Sequence, residues 1–421
     1  MAQMTPRERV LKALRHQEPD RVPLDSAGCS ATTIAAEPYA KLKRLLGITG
    51  GPFIVYDVLQ QLACPEQWYL DRFEVDVIDA TREFSLDTSQ WQDWEISDGS
   101  IAKIPPWIRN LEREDGGWVF RAADGTILGR MPAARHFFDQ VHWPLADAGV
   151  EEYDHPERYM PDMLWAAMAR HPGPLARDPA YPDLLRKATK KLYETTDYAV
   201  MLNTGLSIFE TAQFLRRTDN VLMDLLTDRK NLERLLDRIL EMNLAALDRL
   251  LTASGPYIHI VKVNDDWGMQ EGLLISRELF RRVFKPRHRI MYDFIKQKQP
   301  GVFIFLHSCG SIYEVLGDLI DIGLDIINPV QTSAANMEPE RLKREFSRHL
   351  TFWGGGVDTQ RVLPFGTPEE VEADVARKMR AFAPGGGFVF TQSHNIAPGV
   401  PPQNVLAMFE AFEKHRDYPV R

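Results

Sequence analysis

The sequence predicts an α/β fold, a (β/α)8 TIM barrel with an N-terminal helical extension and a β-rich insertion. Three observations carry this. Short apolar runs such as Val302-Phe303-Ile304-Phe305-Leu306 have the composition of strands buried on both faces, as in parallel sheets. From about residue 155 such runs alternate with segments of helical period through mostly short connections, which implies right-handed crossovers. No phosphate-binding glycine fingerprint is present, because Gly354-Gly355-Gly356 lacks the spacing and the following lysine. Repetition over roughly 250 residues therefore favours a closed barrel.

In chain order, Thr5-Pro6-Arg7-Glu8 reads as a capping box with proline at the first helical position, and Val10, Leu11 and Leu14 give the helix its apolar face. Arg21-Val22-Pro23-Leu24-Asp25 reads as a short extended entry into the body. A helix is expected over 37–46, closed by Gly47, and a third short helical segment over 57–63. Residues 74–79 alternate as a strand. Residues 85–145, rich in Trp, Asp and Gly, read as the insertion, with a hairpin over 118–130 turning at Asp124-Gly125. Strands are then expected over 200–203, 257–263, 302–306, 325–328, 350–353 and 387–390. Helices over 231–251, 277–298, 311–320, 339–346, 368–383 and 402–415 separate or follow them. Residues 1–421 are thus expected to form a single barrel domain, with the N-terminal helices within 1–70.

Composition narrows the partners. The 421 residues carry a formal net charge of −9, so no basic surplus exists to neutralise phosphates and nucleic acid is not expected. Three cysteines, Cys29, Cys64 and Cys309, are too few and odd in number for a disulfide framework, which suits a reducing, cytoplasmic setting. The first residues lack the apolar core of a signal peptide. No apolar run approaches the ~18 residues that span a membrane, so no membrane association is expected.

In such a barrel the chemistry sits at the carboxyl ends of the strands. The polar residues expected there are Asn203, Asp265, Asp266, Gln270, His307, Cys309, Asn328, Gln331, Asp358, His394 and Asn395. Strand alternation puts the His307 imidazole and the Cys309 thiol on one side, where a buried strand meets its loop. With His394 they make three nitrogen and sulfur ligands and leave a fourth position open, the layout of a catalytic zinc site. Zinc lowers the pKa of a bound thiol or water. Asp265 or Asp266 would fill the fourth position or orient a ligand imidazole. The competing reading is a metal-free polar pocket, in which the histidines and aspartates hydrogen-bond substrate and serve as general acid and base. Asn203, Gln270, Asn328, Gln331, Asp358 and Asn395 are the expected substrate contacts.

These motifs resemble the uroporphyrinogen decarboxylase superfamily across nearly the whole chain. Thr5-Pro6-Arg7-Glu8-Arg9-Val10 followed by Pro19-Asp20-Arg21-Val22-Pro23 resembles its N-terminal signature, and His307-Ser308-Cys309-Gly310 its H-x-C-G segment. Trp353-Gly354-Gly355-Gly356-Val357-Asp358 resembles its penultimate strand, and Pro401-Pro402-Gln403-Asn404 the start of its closing helix. The resemblance implies the same barrel with N-terminal helices. Asp25-Ser26-Ala27-Gly28-Cys29-Ser30 stands where true uroporphyrinogen decarboxylases carry R-Q-A-G-R-Y, so porphyrin decarboxylation is not expected.

The chain is more similar to the corrinoid-dependent methyltransferase branch, whose zinc is held by H-x-C and a cysteine ten residues before the closing helix's asparagine. Counting back from Asn404 reaches His394. The resemblance implies methyl transfer between a methylcorrinoid (cobalamin), on a partner protein or free, and a small-molecule thiol or tetrahydrofolate, as within an O-demethylation pathway. Relatives that transfer methyl to tetrahydrofolate can dispense with zinc, so that acceptor stays open. No D-x-H-x-x-G cobalamin motif occurs, so the corrinoid is expected from outside. A homodimer is compatible with this reading. The runner-up activity is a decarboxylase or lyase acting on a non-porphyrin acidic or aromatic substrate.

Overall fold

Seven strands pair in parallel and in chain order: β1 (Val77–Asp79), β2 (Ala199–Asn203), β3 (Ile260–Asn264), β4 (Phe303–His307), β5 (Ile326–Asn328), β6 (Thr351–Trp353) and β7 (Phe388–Val389). The computed structural model describes residues 3–133, 135–168 and 178–420. The extended entry closes the gap between β7 and β1. Phe390 N donates to Pro23 O at 2.8 Å, Asp25 N donates to Phe390 O at 2.9 Å, and Asp76 N donates to Leu24 O at 2.8 Å. Leu24 also bridges Phe390 in parallel. The entry thus stands as the eighth stave, and the fold is a TIM-barrel-like (β/α)8 architecture.

Alternation explains why the strands read as continuous apolar runs. Val77, Met201, Ile260, Phe305, Ile326, Trp353 and Val389 share one cluster inside the barrel, while Val200, Val261, Leu306 and Phe352 face the surrounding helices. Val10 and Leu14 of the first helix join the inner cluster. That helix, Pro6–Leu14, carries the predicted capping box on Thr5 and Glu8.

The N-terminal motif has a structural reason at the base of the barrel. Asp76, fully buried, accepts from Arg9 at 2.5 Å and from Arg21 at 2.9 Å, and Asp20 holds Arg9 from the other side at 2.7 Å. Burial pushes the Asp76 carboxyl up, and the two guanidiniums act against it.

Helices Arg229–Ser254, Lys285–Lys298, Tyr313–Ile320, Pro339–Phe346, Pro368–Phe382 and Pro402–His415 fall where the periodicity places them. The segment 57–63 differs. Instead of a third short helix, strand Phe53–Asp57 turns and returns as Leu62–Ala63 in antiparallel pairing. Buried Phe53, Val55 and Asp57 alternate with half-buried neighbours, a period of two that ends inside the stretch read as helical. Phe53–Asp57 also pairs in parallel with Ile101–Ile104, so this hairpin shares a sheet with Gln92–Glu95. A further sheet, antiparallel throughout, joins Leu111–Glu114, Gly117–Arg121, Ile127–Met131 and Asp139–Gln140, and its central hairpin turns at Asp124-Gly125 as expected.

Candidate metal centre at the strand ends

β4 ends on His307, an inward position two residues beyond Phe305, so the barrel interior continues directly into the imidazole. Its Nδ1 donates to Asn328 Oδ1 at 2.6 Å, and Asn328 Nδ2 donates to Trp353 O at 2.8 Å. The second bond fixes which end of the amide faces the ring. Nε2 of His307 is left with its lone pair toward Cys309 Sγ, 3.4 Å away.

His394 follows β7. Its Nδ1 donates to Asn395 Oδ1 at 2.8 Å, and its ring centroid lies 5.4 Å from that of His307. One ligand atom each of His307, Cys309 and His394 falls within 4.8 Å of the others. Tetrahedral zinc with bonds of about 2.0 Å to nitrogen and 2.3 Å to sulfur sets those atoms about 3.5 Å apart, which the His307–Cys309 pair meets at 3.4 Å and His394 approaches. Among the described residues this is the one such group of three.

The aspartates divide their work. Asp266 Oδ1 accepts from Cys309 N at 2.8 Å and so positions the thiol's backbone. Asp265 is fully buried and turned to a different task. It accepts from Ile208 N and Glu210 N at the start of helix Phe209–Arg216, and lies 2.8 Å from His288 Nε2.

Gln331 Oε1 accepts from Gly310 N at 3.0 Å, its amide donates to Gln270 Oε1 at 3.0 Å, and Gln270 in turn donates to Ser333 O. These two glutamines tie the loops after β3, β4 and β5 together. Asp358 caps its own turn through Gln360 N and Arg361 N. Asn203, at the end of β2, has both side-chain polar atoms buried without a hydrogen-bond partner.

Two groups absent from the sequence list also stand here. Lys262, 1 % exposed, lies two residues before the end of β3, in phase with inward Ile260, and donates to Asn264 Oδ1. Its signal was a lysine inside an apolar strand. Glu210 has a buried carboxylate oxygen, Oε2, with no hydrogen-bond partner. Burial pushes its carboxyl well above the usual range, and Asp266 and Asp265 add to the effect. Nothing local in the sequence distinguishes it from an ordinary residue of a helix's first turn.

Burial raises the Cys309 thiol well above its ordinary range, with Asp266 and Glu210 acting in the same direction. Burial lowers His394, which is therefore neutral and ready to ligate at pH 7.

The arrangement defines a class: a parallel barrel with a His, Cys, His cluster that could hold a metal at the carboxyl ends of its strands. Comparison supplies the family. Residues 176–415 match the uroporphyrinogen decarboxylase (URO-D) family model, and the chain belongs to that family. It is 24% identical over 190 residues to a uroporphyrinogen decarboxylase of Magnetococcus marinus, a match covering 44% of this chain. The chain spans about half, 49%, of that curated relative's length. The structure is similar to a methyltransferase from Methanosarcina mazei, with a TM-score of 0.59, 16% sequence identity, and coverage of 98% of this chain and 99% of that one. At that identity the likeness is one of fold.

Proposed function

We propose that the chain is a methyltransferase-like enzyme of this family, moving a methyl group between an externally supplied methylcorrinoid and a thiol or tetrahydrofolate. The observation that carries the reading is the ligand set His307, Cys309 and His394, with each imidazole held through Nδ1 by an asparagine, which leaves Nε2 for a metal. These three residues would hold zinc. When bound, zinc would convert a thiol ligand to thiolate near neutral pH and make it a methyl acceptor. Asn328 and Asn395 keep both ring nitrogens in the ligating tautomer. Asp266 fixes the Cys309 backbone, and the buried Glu210 carboxyl stands beside it. Asn203, whose amide has no hydrogen-bond partner, stands as a substrate contact, and Gln270, Gln331 and Asn395 hold the loops and the imidazole around it. None of the three cysteines forms a disulfide, which supports action in a reducing compartment.

Metal analysis with a methylcobalamin demethylation assay tests this. Stoichiometric zinc, lost in Cys309→Ala, and thiol- or folate-dependent demethylation are expected. Protein without zinc, or with zinc but inert toward methylcobalamin with every acceptor, would overturn the metal or the transfer reading respectively. Glu210 favours one alternative: a carboxyl whose pKa burial raises well above its ordinary range is suited to be the acid a decarboxylase or lyase needs. Demethylation failure together with carbon dioxide release from an acidic or aromatic substrate would select it.

A further inference from the structure

A cavity lies away from the ligand set, between helices Tyr181–Thr195 and Arg229–Ser254. It measures about 180 Å3, and its wall includes Tyr181, Leu185, Leu206, Ala246, Leu250 and Arg249. A cavity of about 150 Å3 lined by aliphatic and aromatic side chains takes up benzene. This one has room for a ring or short alkyl chain and a little more.

The polar groups of the wall narrow the ligand. Thr204 lines the cavity, but its hydroxyl already donates to Lys262 O at 2.6 Å. Arg249 is exposed, and among the described residues it makes no hydrogen bond or ion pair. Arginines earlier on the same helix are engaged: Arg234 reaches Asp154 at 2.6 Å, and Arg238 reaches Asp154 O at 3.0 Å. An apolar slot cannot satisfy a sugar or a free phosphate, whose hydrogen bonds would go unmet. A planar guanidinium at its edge matches a carboxylate.

We propose that this cavity binds a small amphipathic monocarboxylate, its apolar body between the two helices and its carboxylate on Arg249. The wall is joined to the strand-end site through backbone. Leu206 O accepts from Asn264 N at 2.8 Å, directly before Asp265 and Asp266. An occupant therefore sits one loop from the candidate metal centre. The proposal stands whether or not zinc is bound.

Calorimetric titration of the full chain with 3-phenylpropionate and with 3-phenyl-1-propanol tests it. The acid is expected to bind once per chain, about tenfold or more tighter than the alcohol, the size of one charge-assisted hydrogen bond. Arg249→Gln, a surface change, should bring the acid to the alcohol's affinity and leave the alcohol unchanged. Ala246→Phe should abolish both by filling the cavity, while His394→Ala should leave both intact. No binding in the millimolar range, equal affinity for acid and alcohol, or indifference to Arg249→Gln would each overturn the proposal. So would loss of binding in His394→Ala, which would move the ligand to the strand ends.

Discussion

Asn328 shows how much of the candidate site rests on single hydrogen bonds. It is fully buried and holds His307 on one side and the Trp353 carbonyl on the other. Asn328→Ala leaves the imidazole free to rotate and strands a buried carbonyl, so zinc affinity should fall about 10–100-fold; titration with a chromophoric chelator measures this. Unchanged affinity would remove Asn328 from the site's support. The thiol sets the pH dependence. Burial raises Cys309, so the metal-free site carries a protonated thiol at pH 7, while lowered His394 is already neutral. Ligation must expel one proton. Apparent zinc affinity should therefore rise about tenfold per pH unit between roughly pH 6.5 and 8.5. A flat profile would show that Cys309 does not ligate as thiolate.

At the scale of elements, two loops cross where the ligands emerge. Gly310, after β4, has φ +80°, and an added Cβ would run into the backbone of Gly268, in the loop after β3. A Cβ on Gly268 would lie 2.5 Å from Cys309 O. The two loops pass so closely that only hydrogens fit between them. Gly310→Ala should cost about 1–2 kcal/mol from the left-handed backbone alone, with the clash added, and should shift Cys309 enough to weaken zinc. Gly317, inside helix Tyr313–Ile320 with open space around it, is the control: Gly317→Ala should be neutral or stabilising by up to about 1 kcal/mol. Urea denaturation of both variants separates a local constraint from a general effect of alanine. Equal midpoints would show that the crossing tolerates a side chain.

For the molecule as a whole, acid sensitivity is built into the barrel wall. His259 is 8 % exposed and accepts from Val200 N at 3.0 Å through Nδ1, a bond that requires the neutral ring. Burial lowers its pKa from 6.5 to about 4. The unfolded chain takes up the proton near pH 6.5 and the folded protein only near 4, so stability is full above 6.5 and declines as pH falls through that window. The loss reaches on the order of 3 kcal/mol at the lower end. Thermal unfolding from about pH 7.5 to 4.5 should show this slope, and His259→Gln should flatten it. A His259→Gln slope matching that of the wild type would place the acid sensitivity elsewhere.

The barrel was legible in the sequence because strands buried on both faces must be apolar throughout and helices between them must be amphipathic, whatever the neighbours are. The same alternation put His307 and Cys309 at one strand end, and counting back from Asn404 named His394 as the third member. The hairpin at 53–63 was not legible, because its period of two is only five residues long and its partner, Ile101–Ile104, lies some forty residues away. Nor was the division between Asp265 and Asp266: adjacent in sequence, one caps helix Phe209–Arg216 and the other holds Cys309 N. Glu210 likewise became visible only when helix Phe209–Arg216 docked beside Asp266. Periodicity and residue chemistry are local properties that the chain carries along its length. Which carboxylate meets which donor is settled by the closure of the barrel, which brings residues from separate strand ends into one buried, poorly solvated space.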